Sequence, residues 1–274
     1  MAAFPELTAP TSWHTVEFIS DLHLQPGEPE TFVAWQRYLR ESAADALFIL
    51  GDLFEAWVGD DAPHERAPGD GPNFEARCAT VLREAATRRP MFFLHGNRDF
   101  LVGPAFLASV GVTMLDDPTV LSFAGHRWLL SHGDRLCLDD HDYLAFRAQV
   151  RTAAWQQAFL AQPLAARREA ARRMRAESQA HQRQVVTHAD VDAQAATDWL
   201  QQADAQTLIH GHTHRPAVHP LPGGRQRVVL SDWDGAARPP RGEVLRLTRD
   251  GLARLALPAS LPRPDPHANP PDHV

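Results

Sequence analysis

Five short apolar stretches, each ending in carboxylate, amide or imidazole side chains, constrain this chain more than any other feature. Residues 15–20 (TVEFIS) run into Asp21-Leu22-His23, 46–50 (ALFIL) into Gly51-Asp52, and 91–95 (MFFLH) into Gly96-Asn97-Arg98-Asp99. Residues 127–131 (RWLLS) run into His132-Gly133-Asp134, and 207–210 (TLIH) into Gly211-His212-Thr213-His214. Runs this short and this apolar predict strands buried on both faces. Amphipathic stretches near 30–42, 74–89 and 189–202 predict helices between them, and strand–helix alternation predicts an α/β core. Open α/β sheets place ligands beyond the carboxyl ends of their strands, where all five polar clusters fall. One charged strand end is ordinarily a solvated loop. Five in order predict a single site.

The residue types say what such a site would hold. Carboxylate, amide oxygen and imidazole suit hard or borderline divalent cations such as Mn2+. The clusters contain no Cys, so a structural thiolate zinc site is not expected. Two ions about 3.5–4 Å apart can bind a phosphoryl group and activate water near neutral pH. His210, His212 and His214 alternate, so on an extended chain all three face one side. The spacing leaves open which of them bind.

Bulk properties narrow the class. The 274 residues suffice for one large domain or two small ones. A net charge of -7 argues against nucleic-acid binding across the whole surface. Cys78 and Cys137 stand far apart without CxxC spacing and predict buried or incidental thiols in a reducing compartment. No run of about 18 apolar residues and no signal-peptide pattern occurs, so a cytoplasmic chain with at most peripheral membrane contact is expected. Residues 1–13 read as a loose leader, 14–258 as the folded domain, and 259–274 as a Pro-rich disordered tail.

The ordered set D-x-H, G-D, G-N-R-D, H-G-D and G-H-T-H resembles the calcineurin-like metallophosphoesterase superfamily over roughly residues 14–235. The resemblance implies an α/β fold, a four-layer sandwich of two mixed β-sheets flanked by helices, holding two metal ions. It implies that Asp21, His23, Asp52 and His214 hold one ion, and Asp52, Asn97, His132 and His212 the other, with Asp52 bridging. His210 and His95 then read as core or supporting histidines.

Many superfamily members carry His where this chain has Arg98. That His can protonate an alkoxide leaving group. Arg stays charged and cannot act as a general acid, but its planar fork can grip phosphate oxygens. A phosphate leaving group is a weak base needing no acid, so Arg98 favours a pyrophosphate substrate over an alkyl phosphate ester.

Longer stretches are similar to the UDP-2,3-diacylglucosamine hydrolase family of lipid A synthesis: ILGDLFEAWVGDD (49–61), HGNRDFL (95–101), HGDRLCLDD (132–140), MRAES (174–178) and IHGHTHRPAVH (209–219). The resemblance implies hydrolysis of that lipid's pyrophosphate to UMP and 2,3-diacylglucosamine 1-phosphate with two Mn2+ ions per chain. It implies a monomer bound peripherally to the cytoplasmic side of the inner membrane. Asp52, Asn97, Arg98 and His212 would be catalytic. Asn97, Arg98, Asp140, Ser178 and His212 would contact substrate. Downstream of MRAES the family's Asn and Lys are missing, and Gln182 and Arg183 stand in.

Residues 138–186 form a helical insertion where the family carries a cap over the active site. Between 141 and 183 it has eight Arg against Asp142, Glu169 and Glu177. Phe146, Val150, Trp155, Phe159, Leu160 and Leu164 add apolar surface, and Pro163 marks a turn between helices. A basic amphipathic helix pair suits an anionic membrane surface or an acyl chain. A soluble nucleotide pyrophosphatase or phosphodiesterase of the same fold would share the metal site but would not need this insertion. A non-enzymatic scaffold predicts eroded ligands, whereas all seven positions carry competent donors. A nuclease would want a basic face, which the Asp pairs at 60–61, 116–117 and 139–140 oppose.

Overall fold

The structure, a computed structural model, describes residues 3–66, 71–184 and 190–257, with only the backbone for 177–184. Its strands are β1 (Glu6–Thr8), β2 (Thr15–Ile19), β3 (Ala46–Leu50), β4 (Met91–Leu94), β5 (Val112–Met114) and β6 (Thr119–Phe123). They continue as β7 (His126–Leu130), β8 (Thr207–His210), β9 (Ala217–Leu221), β10 (Arg225–Val229), β11 (Glu243–Thr248) and β12 (Gly251–Ala256). The helices are α1 (Pro29–Glu41), α2 (Phe74–Ala86), α3 (Pro104–Val110), α4 (His141–Val150), α5 (Ala153–Leu160), α6 (Leu164–Gln184) and α7 (Ala193–Gln202).

Two six-stranded mixed sheets result, in the orders β12-β11-β2-β3-β4-β5 and β1-β6-β7-β8-β10-β9. The alternation of side chains along a strand explains why the apolar runs are continuous. In β3, Ala46, Phe48 and Leu50 point into a core shared with Leu121, Leu130 and Ile209 of the second sheet. Leu47 and Ile49 point the other way, toward Trp35 of α1, Leu82 of α2 and Phe106 of α3. On the far face of the second sheet, Leu129 and Leu208 pack with Ala196 and Leu200 of α7. Helix, sheet, sheet and helix therefore stack as four layers. Phe18, Phe48 and Phe92 stack across β2, β3 and β4 at centroid distances of 5.2 and 4.8 Å, and Trp13 meets Phe48 and Phe92 edge-on.

β2, β3 and β4 run parallel, as do β7 and β8. Their carboxyl ends bring the five polar clusters to one rim of the sandwich. In β7 only Leu129 and Leu130 are fully buried, so the expectation of two covered faces holds there for the half next to His132.

The expected loose leader is partly structured. Glu6–Thr8 pair in parallel with Val120–Ser122, and the Glu6 carboxylate accepts from the Ser122 hydroxyl and Arg127 Nη1. Three residues are too few to display a period, which hides the strand from pattern reading. The insertion holds three helices where a pair was expected. The Thr152 hydroxyl accepts from Trp155 N and starts a new helix after α4 ends, and Pro163 stands just before α6 as expected. No helix among the described residues is long and apolar enough to cross a membrane. The tail 259–274 lies outside the described residues.

Candidate metal centre

Glycines let the strand ends converge. A Cβ on Gly96 would stand 2.0 Å from Asp52 Oδ1, and one on Gly211 would stand 2.2 Å from Asp21 Oδ2. Gly51, at φ +86, leaves no room for a side chain against Gly96 and the His132 ring. The motif glycines are therefore where backbone must approach a carboxylate or imidazole. The residues they admit are strained in turn. Among the described residues seven non-glycine residues have positive φ, and five of them are Asp21, His23, Asp52, His212 and His214. Left-handed backbone at polar residues concentrates at functional sites, where surrounding structure holds it.

The seven expected ligands converge. His23 Nε2 and His214 Nε2 face each other at 3.3 Å, and His214 Nε2 lies 3.4 Å from Asp21 Oδ1. One oxygen of Asp52, Oδ2, stands 3.9 Å from His23 Nε2 and 3.7 Å from His132 Nε2. Its other oxygen accepts the Arg98 backbone N–H at 2.8 Å. Asn97 Oδ1 lies 2.9 Å from both His132 Nε2 and His212 Nδ1. Donor atoms of Asp21, His23 and His214 lie within 4.8 Å of one another, as do those of Asp21, Asp52 and His132. Asp21 thus borders both groups.

This set fits divalent cations. Two imidazole nitrogens at 3.3 Å repel unless a proton or a metal ion lies near both lone pairs, and oxygen and imidazole donors suit that ion. Burial pulls the His23 imidazole down, but its Glu55 contact and the Asp52 charge outweigh this and lift its pKa to about 9. His132, fully buried, is likewise lifted to about 9 by Asp52 and Asp21 against burial. The site's carboxylates therefore favour positive charge, and metal binding there displaces protons. His212 is pulled down to about 4 by burial and the His132 charge.

Supporting residues fix the donors. His132 Nδ1 pairs with the Leu50 carbonyl at 2.9 Å, leaving Nε2 for the site. Asp99, fully buried, accepts from Gly96 N and Leu53 N at 2.9 and 2.7 Å and so ties two ligand loops together. Burial and the Asp52 charge push its pKa up to about 7. His210 is fully buried, with Nδ1 on the Gly211 carbonyl at 2.9 Å, and burial pulls it down to about 3. It stays neutral and outside the cluster, as does His95, whose Nε2 pairs with the Val102 carbonyl at 2.7 Å.

Among the expected substrate contacts, the Arg98 guanidinium takes part in none of the hydrogen bonds or ion pairs of the described residues; only its backbone N–H is used. Asp140 caps α4, its Oδ1 accepting from Tyr143 N at 3.0 Å, and the Tyr143 ring lies 6.0 Å from that of His212. The side chains of Ser178, Gln182 and Arg183 lie outside the described residues.

Pattern reading missed the residues that bind the insertion to the site. Asp134, fully buried, accepts from the Tyr143 hydroxyl and from Arg147 Nε of α4. Arg151 Nη2 donates to the Gly96 carbonyl at 2.7 Å. Arg167, buried on α6, donates to the Val58 carbonyl and to Asp61. Glu55 stands between His23 Nδ1 and Arg175 Nε, 2.9 Å from each. Glu55 and Asp134 sit inside the quoted motifs, so the signal was present without the role. The insertion's positive charge is largely spent on such acids, Arg168 adding Glu65 and Arg172 adding Glu169. Its apolar surface is also partly spent. Val150 and Phe159 are buried, Trp155 stacks on Phe159 at 4.9 Å, and Leu160 remains 40% exposed.

A family model described as calcineurin-like phosphoesterase matches residues 14–216. The chain is a calcineurin-like phosphoesterase. This phosphoesterase is 45% identical over 258 residues to a UDP-2,3-diacylglucosamine hydrolase of Xanthomonas campestris pv. campestris, covering 89% of this chain and 100% of that one. It is 42% identical over 247 residues to a UDP-2,3-diacylglucosamine hydrolase of Enterobacter sp. (strain 638), covering 88% and 98%.

Proposed function

We propose that this phosphoesterase hydrolyses the pyrophosphate bond of UDP-2,3-diacylglucosamine in lipid A synthesis, releasing UMP and 2,3-diacylglucosamine 1-phosphate. The observation that carries the reading is the Asp52 carboxylate, whose one oxygen faces both His23 and His132 while its other is fixed by the Arg98 backbone. That geometry suits a bridge between two ions. Relatives at 42–45% identity over nearly the whole chain carry the name of this activity.

In this reading Asp21, His23, Asp52 and His214 hold one divalent ion, and Asp52, Asn97, His132 and His212 hold the other. Ions held there would supply charge neutralisation for phosphoryl oxygens and a water of lowered pKa. The remaining work falls to the chain. Asn97 and His212, 2.9 Å apart at Oδ1 and Nδ1, would orient the phosphoryl group. The Arg98 guanidinium, which makes no hydrogen bond or ion pair among the described residues, grips phosphate oxygens. It replaces a proton donor the reaction does not need, because the departing group is a phosphate. Asp140, Ser178, Gln182 and Arg183 would contact the substrate, as the family resemblance implies. Mn2+ is the ion implied, and oxygen-rich sites with imidazole accept it readily.

The insertion supplies the surface for acyl chains, with Leu138 and Leu160, 41% and 40% exposed, its exposed large apolar side chains among the described residues. We place the protein as a monomer at the cytoplasmic face of the inner membrane, held peripherally. Because most of the insertion's arginines are already paired with acids, that attachment is weak and salt-sensitive. Stripping the protein with chelator and restoring Mn2+, Co2+, Mg2+ or Zn2+ singly tests the metal assignment. Full recovery with Mn2+ at two ions per chain supports it; full activity after complete stripping overturns it.

A further inference from the structure

Arg175 lies on α6 of the insertion, far in sequence from the strand ends. Its Nε stands 2.9 Å from Glu55 Oε1, and its Nη1 donates to Gln25 Oε1 at 2.9 Å. The other oxygen of Glu55 stands 2.9 Å from His23 Nδ1. Gln25 in turn donates through Nε2 to Glu28 at 2.6 Å. The guanidinium therefore holds both the loop that follows His23 and the carboxylate that stands beside its ring.

His23 needs such support. Its backbone sits at φ +50, which a β-carbon disfavours. The two loops are already laced through the backbone, with His23 N on the Asp52 carbonyl at 3.0 Å, Leu24 N on Leu53 at 2.9 Å and Glu55 N on Leu24 at 3.2 Å. Those bonds place the loops but leave the imidazole free to turn. The Glu55 carboxylate, 2.9 Å from Nδ1 although off the axis of a ring N–H hydrogen bond, is the charged group beside that nitrogen among the described residues. Its charge favours the proton there and leaves the Nε2 lone pair for the space shared with His214, Asp52 and Asp21. Carboxylates that orient a ligating histidine in this way set its tautomer and its basicity. Glu55 is 10% exposed and Arg175 32% exposed at the side chain, so the pair is partly shielded from solvent.

We propose that Arg175 is a positioning residue for the metal centre, acting on His23 through Glu55, so that docking of α6 and cation affinity at the His23 site are coupled. The proposal rests on His23 being a ligand, as the proposed function has it. It makes the insertion more than a cover: the helix that closes over the substrate region also completes the site beneath it.

Mn2+ titration of the chelator-stripped chain, with free Mn2+ followed by its EPR signal, tests the coupling. His23→Ala serves as reference and loses one of two binding events. Glu55→Gln weakens that same event about 10- to 100-fold, and Arg175→Ala weakens it about tenfold, while the other event is unchanged. Arg175→Gln, which keeps length and polarity, behaves like Arg175→Ala. The double variant Glu55→Gln/Arg175→Ala loses less than the product of the two single losses, because Arg175 acts on His23 chiefly through Glu55. Wild-type affinity for both ions in Arg175→Ala and Arg175→Gln overturns the proposal, and so does a double variant that multiplies the two losses. Two undiminished events in His23→Ala instead overturn the ligand assignment itself, which separates the two failures.

Discussion

Gly96 and Asp52 lie so close that a methyl group on the glycine would stand 2.0 Å from the carboxylate Oδ1 and 2.3 Å from the Asp52 backbone nitrogen. The glycine of G-N-R-D is there for the aspartate of G-D, two strands' ends meeting with no space between them. Gly96→Ala must push Asp52 out of the line between His23 and His132. Metal affinity is expected to fall by about 100-fold or more, beyond the loss from disturbing an outer partner. Gly27→Ala, where nothing lies within 4 Å of the added carbon, is the control and leaves affinity unchanged. Metal content after gel filtration reads both.

Arg98 tests the chemistry apart from the metal. Its backbone N–H holds Asp52, and that bond survives truncation of the side chain. Arg98→Ala therefore keeps both ions and loses the charged contact to phosphate. A hydrogen bond to a charged group is worth about 1.5–3 kcal/mol, so turnover falls about 10- to 150-fold. Single-turnover kinetics with metal content measured in parallel check it. A near-normal rate removes Arg98 from the reaction.

The buried Asp134 carboxylate predicts how the insertion is anchored. It accepts from Arg147 and Tyr143 of α4 with no exposed surface of its own. Arg147→Ala strands the charge and costs about 3 kcal/mol, whereas Tyr143→Phe costs about 1 kcal/mol. Burial pushes Asp134 up, but the His132 and Arg147 charges outweigh it and hold the carboxyl well below the usual range. A depressed folded-state pKa stabilises above the unfolded value, about 3.9, and that contribution is lost as pH falls toward the folded value. The stability gap between wild type and Arg147→Ala is thus full at neutral pH and narrows below about pH 4. Urea denaturation across that range measures it.

Much of this was legible in the residues because of where the sandwich buries them. Strands covered on both faces must be apolar throughout, and β3 and β8 announced themselves for that reason. The ligands were legible because each follows such a run and, in three motifs, a glycine that close packing requires. β1 and β5 are too short to show alternation, and the edge strands β9 and β12 bury little. The relay from Arg175 through Glu55 to His23 joins three segments that no spacing rule relates. Of the insertion's arginines, readable as a basic face, Arg147, Arg167 and Arg175 turn to acids that only the tertiary fold brings near. Asp134 ends the H-G-D motif without standing among the expected ligands, and it clasps α4.

The claim at the centre of this account is that the metal site and the insertion serve one acylated nucleotide-sugar substrate. Release of UMP from detergent-dispersed UDP-2,3-diacylglucosamine, measured beside UDP-N-acetylglucosamine, tests it most directly. The account predicts release from the diacylated substrate alone, abolished by chelation and restored by divalent metal. Equal or faster cleavage of the unacylated compound would contradict it, leaving a pyrophosphatase whose insertion has no lipid to hold.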